Sequence, residues 1–158
     1  MVANPSPANP ELLTAMLEGC LAFAREMLEK AGAFYPFGET ADAAGQRAMA
    51  GAHDGQAHPN PQDLYRLLEH GFRDAAQSGR ITAAALAVDV NIPPEYDPVY
   101  PDGVRVLIEA PGYSRFIYTP YQVAPQTWAN RLLRKKRSVT FAEPFAVEIP
   151  PQLNWPVA

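Results

Sequence analysis

The sequence contains one cysteine, Cys20, and no hydrophobic run as long as the roughly 18 residues that a transmembrane helix requires. A lone cysteine cannot form an internal disulfide, which suits a reducing compartment. The first residues, MVANP, have neither the charged region nor the apolar region of a signal peptide. These absences predict a cytoplasmic protein that does not associate with membranes.

Several motifs of catalysis and cofactor binding are also missing. The chain has no G-x-x-x-x-G-K-[ST] or G-x-G-x-x-G phosphate loop, no G-x-S-x-G nucleophile motif and no zinc-deaminase pattern. Cys20 falls on the apolar stripe of a predicted helix, which favours a buried small side chain over a nucleophile. We therefore expect no cofactor, and the chain is more typical of a binding protein than of an enzyme.

The apolar content is sufficient for one folded domain. The chain has 158 residues, of which 47% are hydrophobic and 10% aromatic, and this excludes wholesale disorder. Its 17 prolines cluster at the start, around residues 93–101 and at the end. We expect a single domain over 1–158, with a flexible Pro-rich N-terminus at 1–8 and a Pro-rich C-terminal tail at 150–158.

The segment 80–92, RITAAALAVDVNI, predicts the central strand, because it is apolar on both faces at a period of two residues. One face holds larger side chains, and the other holds mostly alanines. The larger face comprises Leu86, Val88, Val90 and Ile92, and the smaller face comprises Ile81, Ala83, Ala85 and Ala87. We expect the larger face to carry most of the core and the alanine face to admit a closely packed helix.

Two helices begin with the same sequence device, an asparagine followed by a proline, at Asn9 and Asn60. Apolar residues at spacings of three and four predict a helix over 11–31, followed by Gly32. The same spacing predicts a second helix that ends at Gly79.

A hairpin is predicted between the two helices. The aromatic segment 34–38 suits a strand at a sheet edge, because Pro36 cannot donate a hydrogen bond to a ladder. A turn at 42–45 and a weaker strand at 46–52 complete the hairpin.

The second half of the chain predicts further strands. Residues 104–110 alternate as in a half-buried strand, and residues 113–121 form an aromatic strand. A short helix at 126–136 and a loosely alternating segment at 138–149, broken by Pro144, follow. The order α-β-β-α-β-β-β predicts the α+β class, with a twisted, mainly antiparallel sheet of about five strands and helices packed against it.

This order resembles that of the profilin-like and roadblock-like small domains, without a shared sequence motif. In general character the chain also resembles small bacterial proteins of unknown function. The resemblance implies a scaffold, sensor or subunit, since such folds serve many purposes.

The loop 53–59 contains the best group of metal-ligand types, His53, Asp54 and His58. Two imidazoles and a carboxylate could bind zinc. However, the spacing H-D-x3-H matches no strong ligand pattern, so an exposed polar loop is the favoured interpretation and no metal is expected.

Asp89 is a candidate binding residue because it lies within the central strand, on the alanine face. A buried aspartate needs a partner or a raised pKa, whereas the alternative is a strand end that reaches solvent. Tyrosines favour pocket rims and interfaces, although ordinary core packing is the alternative for each of them. The candidate binding tyrosines are Tyr96, Tyr100, Tyr113, Tyr118 and Tyr121.

Charge is distributed unevenly along the chain. Residues 1–130 hold 8 basic and 15 acidic residues, whereas residues 131–158 hold 5 basic and 2 acidic residues. The basic run next to Trp128 includes the candidate binding residues Arg134, Lys135 and Lys136. It could contact an acidic protein, a second copy of this chain or a nucleic acid, or it could be a solvated helix end.

These observations favour a non-enzymatic protein-binding, scaffold or adaptor domain that binds another protein or itself as a homodimer. One alternative is a small-molecule-binding domain or weak enzyme with a pocket near Asp89, Tyr96 and Tyr100. A further alternative is nucleic-acid contact through residues 131–137, which the acidic remainder of the chain disfavours.

Overall fold

The computed structural model describes residues 9–156 and confirms the α+β class. An antiparallel sheet lies between one long helix and a second layer formed by another helix and the C-terminal segment. The elements in chain order are α1 (Pro10–Ala31), β1 (Phe37–Ala41), β2 (Arg47–Gly51), α2 (Pro61–Gln77), β3 (Ala83–Asn91), β4 (Asp102–Ala110), β5 (Tyr113–Val123), α3 (Trp128–Leu132), β6 (Val139–Phe141) and β7 (Phe145–Glu148). A single 3₁₀ turn, Pro94–Tyr96, precedes β4.

The strand order is β2-β1-β3-β4-β5, with β6 and β7 following each other along the outer edge of β5. Tyr121 is opposite Phe141, and Tyr118 is opposite Phe145. The described residues therefore form seven strands rather than about five, because the segment after α3 pairs with β5 twice and Pro144 separates the two pairings.

Both long helices start as their sequences predict. The Asn9 side chain accepts a hydrogen bond from the Glu11 amide at 3.1 Å, and the Asn60 side chain accepts one from the Gln62 amide at 2.8 Å. At the other end of α1, Gly32 adopts a φ of 76° and donates its amide to the Leu28 carbonyl at 2.9 Å.

Helix α1 packs on the sheet face that carries Ala83, Ala85 and Ala87, here called the α1 face. The prediction that the alanine face admits a close helix is therefore confirmed. The expectation that the opposite face carries most of the core is wrong, because the larger buried cluster lies on the α1 face. Helix α1 places five buried side chains there, and β4 adds Val104 and Val106.

Helix α2 covers part of the opposite face, here called the α2 face. Its Phe72 ring lies against Gly38 of β1, where an added Cβ atom would be 2.5 Å from the ring. Leu153 of the C-terminal segment is buried on this face as well, with Trp155 packed against the same cluster. Both faces of β4 are thus covered, so this strand is more deeply buried than its alternation predicts.

The first strand differs from its prediction. A strand at 34–38 on a sheet edge is wrong, because β1 begins at Phe37 and lies between β2 and β3. Pro36 precedes the strand, and the ladder between β1 and β3 starts at the pair Phe37–Ala87. A proline cannot extend that ladder, so the aromatic segment before it leaves the sheet.

Residues 1–8 and 157–158, which belong to the predicted flexible terminus and tail, lie outside the described residues. Within residues 9–156, no helix is long and apolar enough to cross a bilayer.

Candidate functional site

Asp89 lies on the α1 face, where it is half-buried next to Tyr121. The Tyr121 hydroxyl donates a hydrogen bond to Asp89 Oδ1 at 2.7 Å. Burial raises the pKa of Asp89, the hydrogen bond from Tyr121 opposes this increase, and the charge of Asp102 adds to it. Burial and the neighbouring Asp89 also raise the pKa of Tyr121. Tyr121 is thus the side-chain hydrogen-bond partner of Asp89.

The five candidate tyrosines do not converge on one pocket. Tyr118 and Tyr121 are buried, and Tyr96 packs against Tyr118 with 5.6 Å between ring centroids. Tyr100 lines a separate hollow beside Tyr121, and Tyr113 lies at the far end of β5. Tyr96 belongs to the α2 face and Asp89 to the α1 face, so the structure separates two of the three residues of the predicted pocket.

A different cleft opens on the α2 face, between the first turns of α2, the end of β3 and the start of β4. Its volume is about 740 Å³. We call it the Arg105 cleft, and its lining residues are Asn60, Pro61, Gln62, Tyr65, Arg66, Val88, Asp89, Val90 and Arg105. The strand register explains its floor, since Val88 is opposite Arg105 and Arg105 is opposite Tyr118.

Arg105 has aromatic neighbours and no acidic partner. Its guanidinium carbon is 4.2 Å from the centroid of the Phe116 ring and 5.5 Å from that of the Tyr65 ring. Among residues 9–156, its buried Nε has no hydrogen-bond acceptor, and no carboxylate oxygen lies within 4.0 Å of the guanidinium. Burial raises the pKa of Tyr65 and of Tyr118, and Arg105 opposes both increases through its charge and through its hydrogen-bonding proximity to the two hydroxyls. In the sequence, Arg105 is one residue of the alternating segment 104–110, and no local motif distinguishes it.

Glu109 lies on the same face of β4 and is completely buried. Its Oε1 accepts hydrogen bonds from the Leu153 amide at 2.8 Å and from the Trp155 indole at 2.9 Å. Its Oε2 accepts from the Ser114 hydroxyl at 3.0 Å and from the Gln152 amide at 2.8 Å. The three donors from residues 152–155 attach the C-terminal segment to the sheet, which is a structural role.

A second feature is the connection between β5 and β6, residues 124–138, here called the basic tip. The Ala124 amide donates to the Ser138 carbonyl at 2.9 Å, and the Gln126 side chain donates to the Lys135 carbonyl at 2.8 Å. The Thr127 hydroxyl accepts from the Asn130 amide at 3.2 Å. The tip is therefore held together by internal hydrogen bonds despite its length.

The tip exposes apolar and basic side chains together. Trp128, Leu132 and Leu133 are 75%, 72% and 67% exposed. The candidate cations Arg134, Lys135 and Lys136 are exposed beside them. Helix α3 is shorter than the predicted 126–136, because the chain leaves the helical conformation after Leu132 and Arg134 adopts a φ of 53°.

The remaining candidate residues are the loop histidines and Cys20. His53 and His58 are exposed, and the His53 ring accepts a hydrogen bond from the Gly55 amide at 2.9 Å. No group of three potential metal ligands occurs within residues 9–156. Cys20 is buried in α1, and burial together with the charge of the nearby Glu39 raises the pKa of its thiol to about 12.

The sequence matches no protein-family model, no curated protein and no solved structure. The resemblance to profilin-like and roadblock-like domains therefore rests on element order alone. Any function has to be inferred from the surfaces and clefts of the chain itself.

Proposed function

We propose that the protein is a non-enzymatic interaction domain that self-associates through its basic tip. The observation that carries the proposal is the simultaneous exposure of Trp128, Leu132 and Leu133 on an ordered loop. Large apolar side chains that no part of their own chain covers mark interaction surfaces, and tryptophan is the residue type most enriched at binding hot spots. Because internal hydrogen bonds order the tip, less conformational entropy is lost when it binds.

The charge of the tip indicates which kind of partner surface would bind it. Residues 124–138 contain five basic residues and no acidic residue, whereas residues 1–130 have a net charge of −7. The complementary surface is an apolar slot with an acidic rim. A second copy of the chain offers such a surface at the start of α1.

The slot lies between α1 and the ends of β4 and β5, and its volume is about 200 Å³. Its walls include Leu13, Leu17 and Tyr113. Glu11 and Glu18 line an adjoining hollow on the same helix. An indole or leucine side chain would fill the slot while the basic residues of the tip approach the two glutamates.

The positions of tip and slot favour a closed dimer. The tip is attached to the end of α1 by Arg137, whose amide donates to the Glu29 carbonyl at 2.8 Å and whose guanidinium donates to the Lys30 carbonyl at 2.7 Å. The slot is lined by Leu13 and Leu17 near the start of this 22-residue helix, about 20–25 Å away along the helix axis. Two copies side by side and antiparallel would each insert a tip into the slot of the other, and this twofold arrangement closes without further growth.

Sedimentation velocity across a concentration series up to high micromolar tests the proposal. We expect a monomer–dimer equilibrium that Trp128→Ala weakens by about tenfold or more, as for a hot-spot residue. Val99→Ala is the matched control, because Val99 is also 75% exposed but lies outside the tip. A strict monomer, or a dimer that Trp128→Ala leaves unchanged, would overturn the proposal.

A charge exchange tests which surfaces meet. Lys135→Glu and Glu18→Lys should each weaken the dimer, and the double variant should recover part of the loss if the two side chains approach each other. No recovery would exclude this slot as the receiving surface. Single-stranded oligonucleotide binding at low salt that depends on Lys135 would instead support the nucleic-acid alternative.

A further inference from the structure

The Arg105 cleft carries an inference separate from self-association. A positive charge removed from water is costly unless an anion or hydrogen-bond acceptor compensates it. The buried Nε of Arg105 has no acceptor within residues 9–156. The ring faces of Phe116 and Tyr65 lie beside the guanidinium, which also neighbours the hydroxyls of Tyr65 and Tyr118. The two rings compensate the charge in part. The half-buried guanidinium borders the open cleft, so either water or an anion that enters the cleft can complete its hydrogen bonds.

The cleft has room for more than a bare inorganic anion. Its volume of about 740 Å³ falls in the range of sites that bind organic molecules. Val88, Val90 and Tyr65 supply apolar walls, and Arg105 and Arg66 supply positive charge. Asp89 also borders the cleft, but its carboxylate accepts the Tyr121 hydrogen bond on the opposite face of the sheet.

We propose that the Arg105 cleft binds a small organic anion, with a phosphate or carboxylate group on the Arg105 guanidinium and an apolar or ring-shaped body against Tyr65, Val88 and Val90. A guanidinium presents paired donors that suit both anionic groups. The exposed Arg66, whose guanidinium is 3.7 Å from Asp63, adds charge at the rim. The cleft lies on the face of the sheet opposite the α1 slot, so both surfaces could be occupied together.

Titration calorimetry and amide NMR with phenyl phosphate and benzoate test this inference. The comparison probes are inorganic phosphate, which lacks the ring, and phenol, which lacks the charge. We expect the two aromatic anions to bind more tightly than either comparison probe and to shift the amide signals of Val88 and Val90. Phenyl phosphate and benzoate together reveal which anionic group the cleft prefers.

Arg105→Met should weaken the binding of the preferred probe by about tenfold or more, because the charged hydrogen bonds are lost. Arg115→Met is the matched control, since Arg115 lies on the neighbouring strand over the Tyr113 ring at 4.7 Å but on the α1 face. It should leave the affinity unchanged. Should Arg105→Met fail to fold, the exposed Arg66→Met provides the test, with an expected loss of several-fold.

Three results would overturn the inference: no binding of either aromatic anion at millimolar concentration, binding that neither Arg105→Met nor Arg66→Met weakens, or equal binding of inorganic phosphate. The Trp128→Ala variant should bind the probe normally. The experiments can therefore support or contradict the proposals for the cleft and the tip independently.

Discussion

Glu109 and Arg105 occupy the same face of β4, four residues apart, and their surroundings are opposite. Four donors from two parts of the chain, β5 and the C-terminal segment, surround the Glu109 carboxylate. Arg105 has two aromatic rings beside it and no acidic partner within residues 9–156. A charged group whose hydrogen bonds are made within the chain stabilises the fold, whereas a charged group with no partner of opposite charge remains available for a ligand.

The path of the chain explains this difference. The C-terminal segment crosses the α2 face at Glu109, where Leu153 is buried and the Trp155 indole donates its hydrogen bond. Helix α2 covers the middle of this face through Phe72 and begins beside the Arg105 cleft. One end of the α2 face is therefore closed by the chain, and the other end forms an open cleft.

Glu109→Gln should have the largest effect on stability. The amide group has one oxygen where the carboxylate has two, so at least one of the buried donors loses its acceptor, and the remaining hydrogen bonds lose their charge. We expect the free energy of unfolding to fall by about 3 kcal/mol. Urea denaturation measures the loss, and Trp155 fluorescence should report release of the C-terminal segment.

Glu148→Gln is the control for that experiment, because Glu148 is a glutamate at the exposed end of β7 with only a distant contact to Arg115, at 3.9 Å. Its effect should stay within about 0.5 kcal/mol. Equal effects at both positions would contradict the structural role of Glu109.

The sequence alone could predict the helices and the class of the fold, because those signals are local. The asparagine–proline starts and Gly32 act through neighbours within a few residues, and the alternation of alanines in β3 is visible within one strand. The role of Glu109 could not be predicted in this way. Its amide and indole donors come from positions 43 to 46 residues further along the chain.

Gly38→Ala tests the covered middle of the α2 face and should have the next largest effect. The added Cβ would lie 2.5 Å from the Phe72 ring and 2.6 Å from the Ala85 carbonyl oxygen. Because the backbone oxygen cannot move freely, the helix must shift, and we expect a loss of about 2 kcal/mol in urea denaturation. Gly51→Ala in β2 is the control, since apart from its chain neighbours no atom of residues 9–156 lies within 4 Å of its added Cβ. A smaller loss at Gly38 than at Gly51 would show that Phe72 does not pack there.

The candidate sites were harder to predict than the fold. Alternation placed Arg105 and Glu109 on one face, but it could not show that the C-terminal segment covers Glu109 whereas Arg105 borders an open cleft. It also placed Asp89 correctly on the alanine face, yet the Tyr121 partner is 32 residues away. The basic run was visible in the sequence, whereas the exposure of Trp128 and Leu132 required the structure.

Asp89 is intermediate between Glu109 and Arg105, because a single side-chain donor, Tyr121, bonds to it. We expect Asp89→Asn to have the smallest effect on stability. Its pKa is raised by burial, so the folded state binds the proton more tightly than the unfolded state. The stability that Asp89 contributes is therefore greatest below its usual pKa and is lost as pH rises through the raised value. The asparagine oxygen can still accept the Tyr121 hydrogen bond and does not titrate. The stability of Asp89→Asn relative to the natural protein should accordingly increase as pH rises from below the usual aspartate pKa and then level off.

Urea denaturation of both proteins at a series of pH values checks this trend, and the difference between them removes the titration of all other carboxylates. Asp97→Asn, at an exposed aspartate, is the control and should change stability by no more than about 0.5 kcal/mol. A difference that decreases with rising pH would mean that the Tyr121 hydrogen bond outweighs burial. Asp89 would then resemble Glu109, as a charge that the fold satisfies, and Arg105 would be the only one of these three charges left without a partner within residues 9–156.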